Sequence, residues 1–371
     1  MKTVLFIFGT RPEGIKLASL INKLKQRDDL RTIACITSQH KRLLYQVVEY
    51  FKIPVDYNLN VMIENQTLDY ITQITISKLE KIFNDVHPDL TIVQGDATSS
   101  LVGAISSFYH KVPVAHIEAG LRTYDKNYPY PEEINRRLIT QIADFHFAPT
   151  KKSVENLLSE QVPKEQIFIV GNTTIDAQLS TLKYVSEKED YYNSLFKKIN
   201  FEKKILVVTC HRRENFGEPF EEICNALMHL VEKFNDIEIV FPVHLNPNIR
   251  KVAFSILKSP KIHLLEPLDY PEMLFLMKKS YLILTDSGGI QEEAPTLGKP
   301  VLVLREKTER VESVELGISK VVGTKKENIL NWTEKLLFDK ESYESMAKVC
   351  FPYGDGTASD KIYNKIIELL L

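Results

Sequence analysis

What most constrains this chain is a repeated order: a short apolar run, a polar or glycine-bearing turn, then a stretch with helical periodicity. In the first half, residues 4–8, 32–37, 90–93, 112–116 and 145–148 read as strands. Helices are predicted over 12–25 and 41–51, with a long amphipathic stretch over 67–83. The second half repeats the grammar, with strands at 205–209, 237–243, 262–265, 282–285 and 301–304 and helices at 219–234 and 271–279. Strands that alternate with helices imply a parallel sheet covered on both faces. The reading is therefore α/β: two doubly wound, Rossmann-like domains in tandem, joined near Gly171, Asn172 and Thr173, with a ligand cleft facing the carboxyl ends of both sheets.

Size and charge agree with that reading. A chain of 371 residues is long for one core and suits two α/β domains. Lys and Arg total 47 against 49 Asp and Glu, so no global basic field calls for nucleic acid or an anionic membrane. No run approaches the ~20 apolar residues of a membrane span, and the first eight residues read as a strand rather than a signal peptide. Cys35, Cys210, Cys224 and Cys350 form no C-x-x-C pair, which gives no metal knuckle and fits a reducing cytoplasm.

In open α/β sheets ligands bind at the carboxyl edge, so the turns after the strands carry the functional argument. Gly9-Thr10-Arg11-Pro12-Glu13-Gly14-Ile15-Lys16 follows the first strand. Thr10 and Glu13 have capping-box spacing, and Arg11 and Lys16 add charge at a helix start; the segment suits a diphosphate, and equally a well-capped helix with solvated basic residues. Gln94-Gly95-Asp96, His116-Ile117-Glu118 and Pro131-Glu132-Glu133 bring Asp96, Glu118 and Glu132 or Glu133 to one edge. Singly, each carboxylate is also what a cap or a surface ion pair uses. Several converging can push their pKa values apart, as acid–base chemistry needs. Thr209-Cys210-His211-Arg212-Arg213 and Pro242-Val243-His244 are polar loops after strands of the second half, able to face phosphates or to be structural. Asp286-Ser287-Gly288-Gly289 opens a helix, and its glycines let backbone N–H groups approach an anion, with Glu293 one turn on placed to accept from ribose hydroxyls. A tight turn alone would also use those glycines.

The motifs GTRPE-x-IK, GD-x-T, H-x-EAGLRT, PEE-x-NR, T-x-HRRENFG, VHLNPN, LTDSGG-x-QEEAP and YGDG-x-A together resemble the non-hydrolysing UDP-N-acetylglucosamine 2-epimerases, from Phe8 to beyond Gly356. The resemblance implies a GT-B-like fold whose final helix returns to the first domain. On that reading residues 1–170 with 357–371 form one domain and residues 171–356 the UDP-binding domain. It implies a homodimer that needs neither metal nor nicotinamide. It implies Asp96, Glu118 and Glu132 as catalytic acids and His211 as the group that stabilises a leaving diphosphate. Arg11, Lys16, Ser287, Gly288 and Gly289 would hold phosphates, Glu293 the ribose, and Arg310 would lie near the phosphates or sugar. A second UDP-GlcNAc would act as activator beside Gln39, His40, Arg213 and His244. Gly14 and Arg42 depart from the family's usual alanine and glutamine.

The implied chemistry follows from the sugar. No carbonyl flanks C2, so its proton is not acidic. Elimination of UDP across C1 and C2 gives 2-acetamidoglucal, and re-addition with the proton on the other face inverts C2. Such an enzyme needs acid–base groups near C2 and a cationic cradle for UDP. A GT-B glycosyltransferase, or an epimerase of a related UDP-amino sugar, is the alternative expectation; a glycosyltransferase would need an acceptor site, and the carboxylate series argues against it.

Overall fold

The computed structural model describes residues 1–39, 41–64 and 66–371. Two compact units result: residues 1–177 with 353–371, and residues 178–352. The strands of the first unit are β1 (Lys2–Phe8), β2 (Leu30–Ile36), β3 (Tyr57–Asn58), β4 (Leu90–Gln94), β5 (Val114–Ile117), β6 (Phe145–Ala148) and β7 (Ile167–Ile169). They form one sheet in the order β3-β2-β1-β4-β5-β6-β7, with every pairing parallel. Helices cover the faces, which is why β1 is a continuous apolar run: Val4, Leu5, Phe6, Ile7 and Phe8 are all fully buried.

The second unit repeats the plan. Its strands are β8 (Lys204–Thr209), β9 (Ile237–Pro242), β10 (Ile262–Leu265), β11 (Leu282–Thr285), β12 (Val301–Val303) and β13 (Ser319–Val321). The order is β10-β9-β8-β11-β12-β13, again parallel. Leu206, Val208, Phe220, Phe241 and Leu284 anchor its core.

Each sheet winds outward from a central strand, then crosses back and winds the other way. The reversals fall between β1 and β4 and between β8 and β11. A crevice opens at the carboxyl ends of such a neighbouring pair, because the two following connections leave on opposite faces. The residues just after β1, β4, β8 and β11 are therefore the ones the topology offers to a ligand.

The predicted elements recur with shifted ends. The strand expected from 112 is paired from Val114, because Pro113 has no N–H for the ladder and gives only its carbonyl, to the N–H of Thr91. The amphipathic stretch expected to end at 83 runs on to Val86 and stops at His87, in the left-handed region with φ 47°. The edge strands β3, β7 and β13 are not anticipated. With two or three residues each, they are too short to show a period.

The last helix, Ala358–Leu370, belongs to the first unit. Asp176 accepts from the backbone N–H of Ser359 at 2.7 Å and of Ala358 at 3.3 Å, Arg27 donates to the Tyr363 hydroxyl at 2.9 Å, and Ile362 and Ile366 are fully buried. Among the described residues no helix is long and apolar enough to cross a membrane.

Candidate active site

In the first unit the turn after β1 leads into the helix Arg11–Leu24. Thr10 is its N-cap and closes a capping box with Glu13. Glu13 does more than cap. Its Oε2 accepts from the N–H of Gly9 at 3.0 Å and of Thr10 at 2.7 Å, and its Oε1 accepts from the Ser100 hydroxyl. Burial raises the pKa of Glu13 despite these donors. Arg11 is half-buried at the first helical position.

One turn along that helix, Lys16 meets Glu118. The Nζ lies 2.7 Å from each carboxylate oxygen, and both side chains are nearly inaccessible. Glu118 follows β5 with φ 65°, a left-handed conformation that costs a non-glycine residue ~1–3 kcal/mol and persists only where surroundings enforce it. Those surroundings are Lys16, the Gln94 amide donating at 2.5 Å and the Asn172 amide at 3.4 Å. Gly120 keeps the turn tight: at φ 90°, a Cβ there would lie 2.3 Å from the Ser153 carbonyl oxygen.

Asp96 lies beside this group. A Cβ on Gly95 would sit 3.4 Å from Glu118 Oε2, so the carboxylate lies over the turn that carries Asp96. Asp96 accepts from the Arg136 guanidinium, with Nε at 3.0 Å, and its carbonyl accepts from Asn135 at 2.9 Å. Glu132 and Glu133 begin the helix Glu132–Ile142 and have different surroundings. Glu133 is fully buried and accepts the N–H groups of Thr123 and Tyr124 at 3.0 Å each, bracing the preceding loop, and it also contacts Arg136. Glu132 is half-buried at the helix start. Gln39, in the turn beyond β2, accepts the Ser99 hydroxyl at 2.9 Å; His40 lies outside the described residues.

In the second unit, β8 and β11 are register neighbours, with Thr209 opposite Thr285. Asp286, which follows β11, is fully buried. Its Oδ2 accepts the N–H groups of His211 and Arg212 at 2.9 Å each, the Asn215 amide at 3.0 Å and the Cys210 thiol at 3.1 Å. Its Oδ1 lies 3.2 Å from His211 Nδ1. Burial pushes the Asp286 carboxyl upward, yet His211 and the backbone N–H donors outweigh it and leave the group below the usual range. His211 stacks on His244 with centroids 5.7 Å apart. Burial first, and His211 second, lower His244 to about 4. Arg213 is exposed in the same loop.

Ser287 caps the short helix Gly288–Glu293. A Cβ on Gly288 would lie 2.8 Å from the Arg310 guanidinium carbon, so glycine there lets a buried cation sit against the turn. Arg310 is held by Glu292, with Nε at 2.9 Å and Nη2 at 2.6 Å, and by Glu309. Gly289 is open beyond its neighbour's hydroxyl. Glu293 accepts the Tyr270 hydroxyl at 2.7 Å, and its carbonyl accepts the Gln178 amide at 2.9 Å.

The structure thus brings Lys16, Glu118 and Asp96 to one place, and Ser287, Gly288 and Arg310 to another, with His211 and His244, on the loops after β8 and β9, stacked on each other. Gln39 belongs to the first unit, and Arg213 and His244 to the second. Gln94, Arg136, Tyr270, Asp286 and Glu292 also engage these groups, and sequence reasoning passed them over. Asp286 had a signal, being the first residue after a strand in the Gly-rich block; Gln94 and Tyr270 had only their position near strand or helix ends.

Two open parallel sheets, each with polar turns at the carboxyl edge of its reversal point, define a GT-B-like α/β enzyme. A family model described as UDP-N-acetylglucosamine 2-epimerase matches residues 22–367. The UDP-N-acetylglucosamine 2-epimerase of Campylobacter jejuni is 48% identical, covering 99% of this chain and 98% of that protein; the Bacillus subtilis one is 44% identical, covering 98% and 94%. A crystal structure of the Neisseria meningitidis UDP-GlcNAc 2-epimerase bound to UDP-GlcNAc superposes with a TM-score of 0.96 at 44% identity, covering 99% of this chain and all of that one. The Methanocaldococcus jannaschii enzyme in complex with UDP-GlcNAc and UDP gives 0.88 at 36% identity, with 99% and 100% covered. The chain belongs to the UDP-N-acetylglucosamine 2-epimerase family.

Proposed function

We propose that this enzyme interconverts UDP-N-acetylglucosamine and UDP-N-acetylmannosamine without hydrolysis, by elimination and re-addition of UDP through 2-acetamidoglucal. In the forward half a base takes the C2 proton, the C2–H electrons form the C1–C2 double bond, and the C1–O bond breaks to release UDP. In the return half UDP oxygen re-forms the bond to C1, and an acid delivers a proton to the opposite face of C2. Two proton-handling steps and one anion cradle are needed.

The observation that carries this reading is Glu118, a buried carboxylate held in a strained backbone conformation by Lys16 and Gln94 next to Asp96. The same backbone region ends a helix at His87; at Glu118 it instead holds a buried carboxylate with Lys16 and Gln94 as partners. Asp96, Glu118 and Glu132 are assigned as the catalytic acids, of which one or two move the C2 proton. His211 meets the charge that develops on the departing diphosphate. Ser287, Gly288 and Gly289, with Arg310 behind them, are assigned to phosphate binding in the second unit and Glu293 with Tyr270 to the ribose; in the first unit Arg11 is assigned to phosphate, and Lys16, which the resemblance also gives to phosphate, is engaged by Glu118. Family membership supports a homodimer in the cytoplasm, a second UDP-GlcNAc as activator near Gln39, His40, Arg213 and His244, and use of the product in bacterial surface polysaccharide synthesis.

Proton NMR of the protein with UDP-GlcNAc in D2O tests the reading. The expected result is new UDP-N-acetylmannosamine signals with deuterium at C2 in both sugars and no free sugar. Recovery of unlabelled UDP-GlcNAc only would overturn it.

A further inference from the structure

At the reversal point of the second sheet two connections leave side by side, one carrying His211 and the other Asp286. The carboxylate divides its work between its two oxygens. Oδ2 takes four donors from the 210–215 loop. Among the described residues no donor satisfies Oδ1 in good hydrogen-bond geometry, although the atom is buried; its polar neighbour is His211 Nδ1 at 3.2 Å. A buried carboxylate oxygen without a donor is costly, and an N–H on Nδ1 is the group placed to supply one.

We propose that Asp286 is the positioning residue for His211: it holds the loop through Oδ2 and, through Oδ1, keeps the proton of the imidazole on Nδ1, so that Nε2 is the nitrogen that serves the ligand and the imidazolium has a fixed counter-charge. The assignment rests on the role proposed above for His211. The other groups around the ring fit it. His244, stacked against His211, accepts the Asn246 N–H on its own Nδ1 at 3.2 Å and is held neutral by burial, so it does not compete for the carboxylate. The Cys210 thiol is pushed well up by burial and remains a donor. Arg212 gives Asp286 its backbone N–H, and Asn215 is tied also to the Leu304 carbonyl at 3.0 Å, so the loop cannot turn away without losing both. When negative charge moves onto the diphosphate, an imidazolium already paired with a buried anion meets it without reorganising.

Asp286→Asn tests this, because the amide can still give a carbonyl to the Oδ2 donors but then presents NH2 to Nδ1. The ring should switch to the neutral Nε2–H form, seen by 15N NMR of the histidine rings in the protein without substrate. The kcat should fall about tenfold or more, and its alkaline limb should move to lower pH, since the imidazolium has lost its counter-charge. In a His211→Ala background the same substitution should add little further loss. An unchanged ring tautomer and pH limb, or an equal loss in both backgrounds, would overturn the proposal and leave Asp286 a loop brace. If the asparagine variant does not fold, the ring spectrum of the unaltered protein decides: Nδ1 without a proton in the neutral ring refutes the pairing. Should the unaltered protein carry the Nδ1–H ring yet fail to epimerise UDP-GlcNAc, the pairing stands and the functional reading falls.

Discussion

Lys16 shows how much one side chain's partner matters. From spacing it is a basic residue one turn into a helix; in the fold it neutralises a carboxylate that is itself almost inaccessible. Breaking a buried pair by removing one partner costs about 3–5 kcal/mol, because the other charge stays behind. Lys16→Met is therefore expected to lower stability by about 3 kcal/mol in urea unfolding and to reduce kcat strongly; an unchanged midpoint would mean that Gln94 and Asn172 suffice for Glu118. His211→Ala is expected to lower kcat tenfold or more, the value of a hydrogen bond to a charged group. A variant with unaltered kcat would remove His211 from the chemistry. The ambiguity between Glu132 and Glu133 could not be resolved from composition, since both begin one helix. Burial and the Thr123 and Tyr124 N–H bonds show that Glu133 braces a loop, which requires knowing where that loop goes.

At the scale of the element, β5 and β6 place His116 opposite His146. Burial lowers His116 to about 3 and His146 to about 4, so both are neutral in the fold. In the unfolded chain each takes up a proton near 6.5. The unfolded state therefore binds more protons between those limits, and stability rises with pH across the window and is lost as pH falls through it. Each histidine contributes about 1.4 kcal/mol per pH unit while it differs between states. Urea unfolding between pH 7 and pH 5 should show the loss, and His146→Gln should give a shallower slope; equal slopes would mean that another group dominates acid destabilisation. Strands of this length are readable from the sequence because a doubly covered strand is largely apolar, the two histidines aside. The two- and three-residue edge strands are not, since their pairing depends on a neighbour and not on a pattern of their own.

For the whole molecule, the chain leaves its first unit after Ala177 and re-enters it at Tyr353. The returning helix buries Ile362 and Ile366 and satisfies its own N-terminal N–H groups with Asp176. Removing 358–371 uncovers those two isoleucines' partners, and at ~1.5–3 kcal/mol for each buried aliphatic side chain the loss is about 3–6 kcal/mol. A chemical-denaturation curve on the truncated chain checks this; an undiminished midpoint would show that the helix is ornamental to stability.

Local pattern was enough to establish the alternation of strands and helices, the parallel α/β class, and which turns follow strands, because periodicity and turn chemistry act over a few residues at a time. Strand order was beyond it, and strand order decides which of those turns are neighbours. Lys16 meets Glu118 across 102 residues, and His211 meets Asp286 across 75, only because β1, β4 and β5 lie in succession in one sheet and β8 and β11 stand side by side in the other. Charge pairing, burial and the resulting proton affinities depend on distances in space, so the identity of each functional group's partner came from the tertiary fold alone.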